Sequence, residues 1–124
     1  MILTSTLSNF LSNLKNHSLS NKTILKQQPT NQILQLIKLL VQEGYIKGYY
    51  LPTKNQIIVL LSTKRVIHKI QQISKPGKRV YIQNKWLYKN KTLDLYIIST
   101  VQGFLTQNQA LQLNLGGELI CKIN

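Results

Sequence analysis

Two hydroxyl side chains followed by a glycine stand out near the end of the chain. Ser99 and Thr100 close an apolar run, and Gly103 follows three residues later. A hydroxyl both donates and accepts a hydrogen bond, and a glycine allows backbone angles and a close approach that other residues do not. The pattern is compatible with a phosphate or ribose contact, although most Ser-Thr pairs before a glycine only turn the chain.

The chain offers no arrangement of residues that is typical of an enzyme. His17 and His68 are far apart in the sequence, and the acids are Glu43, Asp94 and Glu118 alone. A metal site needs clustered His, Cys and acidic residues, and the GxxxxGK[ST] phosphate loop is missing. We therefore expect no enzymatic activity, no cofactor, no metal and no small-molecule substrate.

The strong positive charge predicts a polyanionic partner. The 124 residues contain 16 Lys and Arg against three acids, which gives a formal net charge of +13. Ten of these positive charges fall within residues 54–91, where there is no acid. Such a segment favours nucleic acid. A membrane surface ranks last, because the helices carry few lysines and no apolar run approaches the roughly 20 residues of a bilayer span.

Apolar spacing predicts helix, strand, helix, strand and strand in residues 1–64. A first amphipathic helix has Thr4 or Ser5 as its cap. A strand over residues 22–28 precedes a helix over residues 29–43. The apolar stripe of the first helix consists of Leu3, Leu7, Phe10, Leu11 and Leu14.

Residues typical of turns separate the predicted elements between residues 44 and 61. Gly44 stands where a helix ends in a left-handed conformation. Residues 45–50 and 56–61 then read as the two strands of a hairpin, with a turn over residues 51–55. The N-terminal part is therefore an α/β lobe.

Residues 65–124 are predicted to be mostly strand with one short helix. A strand over residues 93–98 leads into the hydroxyl pair. Thr106 and Gln109 match a capping box, which opens a helix to about Leu113. A closing strand covers residues 119–123. The chain is thus predicted to be α+β, with an N-terminal α/β lobe over residues 1–64 and a mostly β lobe over residues 65–124.

Three small residues near the end have structural interpretations. Gly116 and Gly117 need a close backbone approach or unusual angles. Cys121 is expected to be a buried apolar residue of the last strand, and a single cysteine excludes an internal disulfide.

Aromatic residues alternate with lysines in residues 84–91. Trp86 and Tyr88 lie among Lys85, Lys89 and Lys91. Aromatic side chains between lysines can stack on bases. A lone tryptophan is more often buried in a core or between lobes, because aromatic side chains bury large areas. The sequence leaves both interpretations open.

The order of three segments resembles the eighth ribosomal protein family of the small subunit. The segments are Gln42-Glu43-Gly44-Tyr45-Ile46, Ile73-Ser74-Lys75-Pro76-Gly77-Lys78-Arg79-Val80-Tyr81, and Ser99-Thr100-x-x-Gly103 with a later Gly116-Gly117-Glu118. They come in the family's order and near its spacing, and the resemblance covers almost the whole chain. It also implies an extended segment over residues 65–73, where Val66, Ile67, Ile70 and Ile73 alone have helical spacing.

The resemblance implies a structural, RNA-binding protein of the ribosomal small subunit. It would bind an irregular stem in the central domain of small-subunit rRNA, support subunit assembly and contact neighbouring small-subunit ribosomal proteins. The RNA would be read by shape, because side chains cannot read the deep A-form major groove. The alternative is a free-standing basic nucleic-acid-binding or RNA-chaperone module.

The resemblance also implies which residues contact RNA. They are Lys15, Asn16, Ser74, Lys75, Pro76, Gly77, Lys78, Arg79, Tyr81, Ser99, Thr100, Gln102, Gly103 and Gly117. Pro76 and Gly77 fit the second and third positions of a type II turn, which would present the neighbouring basic side chains together.

Two positions depart from the family, and one acid needs an explanation. Val101 stands where relatives usually have a third hydroxyl, and Gln102 where they have Lys or Arg, so one hydrogen bond and one charge are lost. Glu118 is expected to orient the Ser-Thr turn from inside, because a carboxylate that faced phosphate would repel it.

Composition favours an organelle. Ile, Lys, Asn and Gln are frequent while Ala, Val and Arg are scarce, as an AT-rich gene would give. The N-terminus lacks the features of a secretory signal, and the chain begins nearly where the family begins, which leaves no room for a transit peptide, so we expect the protein to be made inside the organelle. We expect a mitochondrial ribosome, with a plastid or the cytoplasm of an AT-rich bacterium as alternatives.

Overall fold

The first half of the chain folds as two helices and a three-stranded antiparallel sheet. The computed structural model describes residues 5–20, 22–75 and 77–124. The elements are α1 Ser5–Leu19, β1 Ile24–Gln27, α2 Asn31–Gln42, β2 Ile46–Thr53 and β3 Gln56–Leu61. The strand order is β1-β3-β2. This is the predicted order of elements, although β2 extends to Thr53 and shortens the predicted turn.

The apolar stripe of α1 faces the core as predicted. The stripe's residues from Leu7 to Leu14 are at most 2% exposed. Ser5 is the first helical residue. Leu3 and the alternative cap Thr4 lie outside the described residues.

Local signals define both ends of α2. The Thr30 hydroxyl accepts a hydrogen bond from the Ile33 backbone N–H at 3.2 Å. At the other end Gly44 has φ +87°, and the Tyr45 N–H donates to the Leu40 carbonyl at 3.0 Å. This left-handed glycine cap satisfies carbonyls that the helix leaves free, and it confirms the predicted helix end.

The second half forms a five-stranded antiparallel sheet with two short helices. The elements are β4 Ile70–Gln72, β5 Tyr81–Ile82, α3 Asn84–Lys89, β6 Leu95–Thr100, β7 Gly103–Thr106, α4 Gln107–Leu113 and β8 Gly117–Ile123. The strand order is β4-β8-β6-β7, and β5 also pairs with β8. The α+β class is confirmed. The predicted single short helix corresponds to α4, whose capping box is present, and α3 is a second one.

The second sheet is covered on both faces. The core of the protein is one large cluster that includes Leu14, Leu36, Ile57, Ile97 and Ile120, so α1, α2 and both sheets share it. The smaller cluster consists of Leu87, Tyr96, Ile98, Ala110 and Leu119, with Trp86 packed against it. Successive residues of a strand point to opposite faces, so α3 and α4 cover the face of β6 that α1 and α2 do not. The lobe boundary after residue 64 stays a prediction.

Cys121 lies in the larger cluster and is fully buried, as expected. Burial disfavours the thiolate and raises the pKa of Cys121 to about 12. Over the described residues, every helix is too short or too polar to cross a bilayer.

Candidate nucleic-acid interface

A buried carboxylate on β8 lies at the centre of the site. The Glu118 side chain is 1% exposed. The Ser74 hydroxyl donates to Glu118 Oε2 at 2.5 Å and accepts from the Val80 N–H at 3.1 Å. Arg79 Nη1 lies 3.9 Å from Glu118 Oε1. The Ser74 hydroxyl therefore joins the two ends of the segment from Ser74 to Val80, which we call the hairpin, and connects it to the carboxylate.

The hairpin presents lysines at its tip. The backbones of Lys75 and Lys78 exchange two hydrogen bonds, at 3.0 and 2.9 Å. Both residues and Gly77 are exposed. Pro76 lies outside the described residues, and so does the predicted turn type, which depends on it. The side chains of Lys75 and Lys78 are thus exposed at the tip of the hairpin, while the Glu118 carboxylate is buried at the other end.

The turn between β6 and β7 uses one hydroxyl for its own closure. Thr100 Oγ1 donates to the Gly103 carbonyl at 2.9 Å and accepts from the Gln102 N–H at 3.1 Å. Gly103 has φ +103°, which favours glycine. Val101 is 93% exposed. In this segment, residues 99–103, which we call the hydroxyl turn, Val101 and Gln102 form the exposed tip.

Ser99 has a different environment. It lies directly opposite Glu118 in the pairing of β6 with β8. Ser99 Oγ and Glu118 Oε1 are buried and lack a hydrogen-bond partner within the described residues. A buried polar atom without a partner costs about 1–3 kcal/mol. These two unpaired atoms therefore make this end of the sheet less stable than it would be if each had a hydrogen-bond partner.

Two glycines bring the backbones of this region together. A Cβ at Gly117 would lie 2.1 Å from the Ser99 carbonyl oxygen, and a Cβ at Gly116 would lie 2.6 Å from that of Ile82. Real Cβ contacts are never this close, so both positions require glycine. The predicted close approach is confirmed, and it connects β8 to the hydroxyl turn and to the start of α3.

Comparison with known proteins identifies the family. The model of the Ribosomal protein S8 family matches residues 5–124. The chain belongs to the ribosomal protein S8 family.

Relatives in this family align over nearly the entire chain. The small ribosomal subunit protein uS8 of Ehrlichia canis is 34% identical over 99% of both chains. That of Clostridioides difficile is 33% identical over 99% of both. The protein uS8c of Thalassiosira pseudonana is 31% identical over 98% of this chain and 99% of its own. S8 is a family of structural, non-enzymatic proteins, and this agrees with the expectation of no enzyme.

In this S8 chain one end of β8 collects most of the predicted site residues. Tyr81 of β5 pairs with Glu118 and is 69% exposed. Gly117 and the hydroxyl turn adjoin the same end of the strand. The exposed polar and aromatic side chains here are those of the hairpin lysines, Tyr81 and Gln102, whereas Ser74, Ser99, Thr100 and Glu118 are buried.

Lys15 joins the site through a groove between α1 and β4. The groove has a volume of about 430 Å³ and is lined by Lys15, Lys69 and Lys75 together with polar residues. Gln72 Nε2 links the two elements by donating to Ser8 Oγ at 2.8 Å. Asn16 is exposed but does not line this groove.

The sequence did not single out two groups beside the site. Lys69 contributes to the Lys15 groove, and its only signal was the positive charge of residues 54–91. Gln35 and Lys38 of α2 line a second groove with Gln102 and Gly103. These contacts join residues that are far apart in the chain, so no local sequence pattern predicts them. Among the described residues, no three His, Cys, Asp or Glu side chains come together as metal ligands would.

Proposed function

We propose that this S8 protein is a structural constituent of the small ribosomal subunit that binds a stem in the central domain of small-subunit rRNA. It supports the folding of that domain and subunit assembly, next to other small-subunit ribosomal proteins. Family membership over residues 5–124 and a net charge of +13 support the proposal. The observation that carries it is the convergence of the hairpin, Tyr81 and the hydroxyl turn at one end of β8.

Exposure suggests a division of roles within the site. Lys75, Lys78 and Tyr81 are exposed and contact the RNA. Glu118 is covered by Ser74 and lies beside Arg79, so its negative charge is not presented to phosphate. A fixed surface of this kind suits A-form RNA, whose shape, 2′-hydroxyls and phosphates are the accessible features.

The unpaired hydroxyl of Ser99 fits a role in binding. Ser99 Oγ, which lacks a partner in the free protein, donates to a ribose 2′-hydroxyl or a phosphate oxygen of the bound RNA. The bound state thereby recovers the free energy that the unpaired hydroxyl costs in the free protein.

Composition supports a finer localisation. We place the protein in an organellar ribosome, mitochondrial before plastid, because of the bias towards Ile, Lys, Asn and Gln. Sequencing DNA from purified mitochondria of the source organism tests this. Finding the gene only in a bacterial chromosome would contradict it.

The test of function compares binding to the central-domain stem with binding to a length-matched scrambled hairpin. Salt is titrated from about 50 to 200 mM, because binding through phosphates alone loses orders of magnitude over this range. We expect a preference for the stem that persists at high salt. Ser99→Ala removes a hydroxyl that has no partner in the free protein, so stem affinity is expected to fall by about 2–10-fold while the free protein unfolds at an equal or slightly higher denaturant concentration.

The matched control is Ser20→Ala, which removes an exposed hydroxyl at the end of α1. Ser99→Ala is a cleaner probe than a variant that includes Thr100, because the Thr100 hydroxyl also closes the turn. Equal binding to both RNAs, lost together with salt and indifferent to Ser99→Ala, would favour the free-standing basic module instead.

A further inference from the structure

A second basic surface lies on α3 and the residues after it. Lys85, Lys89 and Lys91 are exposed, and Tyr88 is 60% exposed. We call these four residues the α3 surface. Within the described residues, carboxylates form ion pairs only with Arg79 and Lys122. The lysines of the α3 surface therefore keep their charge uncompensated.

The protein holds α3 rigidly from beneath. Asn84 Nδ2 donates to the carbonyls of Ala110 and Leu115, at 3.1 and 2.9 Å. Leu87 is 2% exposed. Trp86 packs edge-to-face on Tyr96, with 5.5 Å between ring centroids and 67° between planes. A helix of six residues is not stable alone, so these contacts fix it.

The structure decides between the two interpretations of this segment residue by residue. Trp86 packs inward against the smaller cluster, as a core tryptophan does. Tyr88 points outward, and Lys91 Nζ lies 5.5 Å from the centroid of its ring. An aromatic ring with a cation beside it can stack on a base while the ammonium group meets the adjoining phosphate.

The α3 surface is separate from the site on the hairpin and α1. Helix α3 packs on the smaller cluster, whereas α1, which carries Lys15, packs on the larger one. The two clusters lie on opposite faces of the second sheet.

We propose that the α3 surface is a second rRNA contact, in which three lysines bind phosphates and Tyr88 stacks on an unpaired base. This rests on the proposed function, because it assumes that the RNA is small-subunit rRNA. Lys85 and Lys89 are four residues apart and share one side of the helix, so they meet the same stretch of RNA backbone. An acidic protein is the less favoured partner, because lysine is depleted in protein–protein interfaces.

The experiment uses the full chain and a transcript of the complete central domain of small-subunit rRNA. The variant is Lys85→Gln/Lys89→Gln/Lys91→Gln. The control removes the same charge from exposed lysines of the first sheet and its turn, as Lys26→Gln/Lys47→Gln/Lys54→Gln. Each phosphate contact contributes roughly 0.7–0.9 to the slope of log affinity against log salt. The α3 variant is expected to reduce that slope by about 2 and the control by less than about 1.

A second measurement isolates the stacking. Tyr88→Ala is expected to weaken binding to the central domain by about tenfold, since stacking on one base is commonly worth that much. Tyr88→Phe keeps the ring and is expected to retain the affinity. Because Tyr88 is exposed, both variants unfold at the same denaturant concentration as the unaltered protein.

The proposal is overturned if the α3 variant and the control have the same affinity and the same salt slope. Unchanged RNA binding combined with a loss of incorporation into small subunits would also overturn it, in favour of an acidic protein partner. If the unaltered protein does not distinguish the stem from scrambled RNA, the proposed function fails, and this proposal fails with it. Discrimination by the unaltered protein with no effect of the α3 variant overturns the α3 proposal alone.

Discussion

The Glu118 region and the α3 surface are both basic, but they hold their charges differently. Around Glu118 the Arg79 guanidinium lies 3.9 Å from a carboxylate whose side chain is 1% exposed, and the neighbouring hydroxyls are buried. The α3 surface has three exposed lysines, which no carboxylate of the described residues pairs with, and it has no buried carboxylate beneath them. The first region is built from close contacts, the second from charge on a rigid support.

This difference predicts different kinds of RNA binding. Contacts in a fixed, partly buried geometry depend on the shape of the RNA and change little with salt. Exposed lysines release counterions from any phosphate backbone, so their contribution falls steeply as salt rises. The Glu118 region should therefore supply specificity and the α3 surface affinity.

The largest expected effect tests the close contacts of the Glu118 region. Gly117→Ala places a Cβ 2.1 Å from the Ser99 carbonyl oxygen, which is backbone and cannot rotate away. We expect the free energy of unfolding to fall by about 3 kcal/mol, as for severe overpacking. Urea denaturation measures it.

Gly48→Ala is the control, because a Cβ there has nothing within 4 Å. Its unfolding free energy should change by less than about 1 kcal/mol. Equal effects of the two substitutions would contradict the close approach.

The second prediction concerns the support of the α3 surface. Trp86→Ala removes the contact with Tyr96 and the packing on the smaller cluster. Because Trp86 is half-buried, we expect a loss of about 2 kcal/mol, less than for a fully buried aromatic residue. Tyr88→Ala, on the same helix but exposed, should leave thermal unfolding unchanged. A comparable loss in Tyr88→Ala would mean that the helix is not held from beneath.

A third substitution tests whether Glu118 orients the RNA-binding segments that adjoin it, the hairpin and the hydroxyl turn. Glu118→Gln keeps the shape of the side chain but removes its negative charge. That charge faces Arg79, and it strengthens the hydrogen bond that Ser74 donates. We expect a loss of about 1.5 kcal/mol in unfolding free energy, the usual value of a hydrogen bond to a charged group, together with weaker binding to the stem. Glu43→Gln, at the end of α2, should change neither quantity. If Glu118→Gln leaves both unchanged, the orienting role is wrong.

The smallest expected effect on stability concerns the ion pair between Asp94 and Lys122. Asp94 pairs with Lys122 at 3.1 Å, and its hydrogen bond raises the pKa of Lys122 above the ordinary 10.5. Because the folded pKa is the higher one, this pair stabilises the fold below pH 10.5 and is lost as pH rises above it. Lys122→Gln should therefore melt slightly below the unaltered protein at about pH 8, and the difference should disappear as the pH rises through the raised pKa of Lys122. A difference that stays constant with pH would contradict the pairing.

Features with a local cause could be predicted from the sequence. The Thr30 cap, the left-handed Gly44 and the capping box at Thr106 each follow from residues a few positions apart. The apolar stripes of α1 and α2 are long enough to show their period.

Short and non-local features could not be predicted in the same way. Helix α3 has six residues, too few for a recognisable period, and it depends on Asn84 reaching carbonyls of the next helix region. Strand β7 follows its turn directly and has four residues. Glu118 was expected to orient the Ser-Thr turn, but its hydrogen bond goes to Ser74, 44 residues away. The sequence predicted a close backbone approach at Gly117, but it could not predict that the approaching backbone is that of Ser99.

Strand β8 pairs with β4, β5 and β6, so the second sheet depends on the last strand of the described chain. During synthesis β4, β5 and β6 are made before their shared partner. Residues 5–61 share the larger cluster with the second sheet, so their core also stays incomplete until that sheet forms. The hairpin lacks Glu118 until translation reaches β8. A chain that ends before β8 therefore lacks both Glu118 and the strand that pairs with β4, β5 and β6 beside the proposed RNA surface.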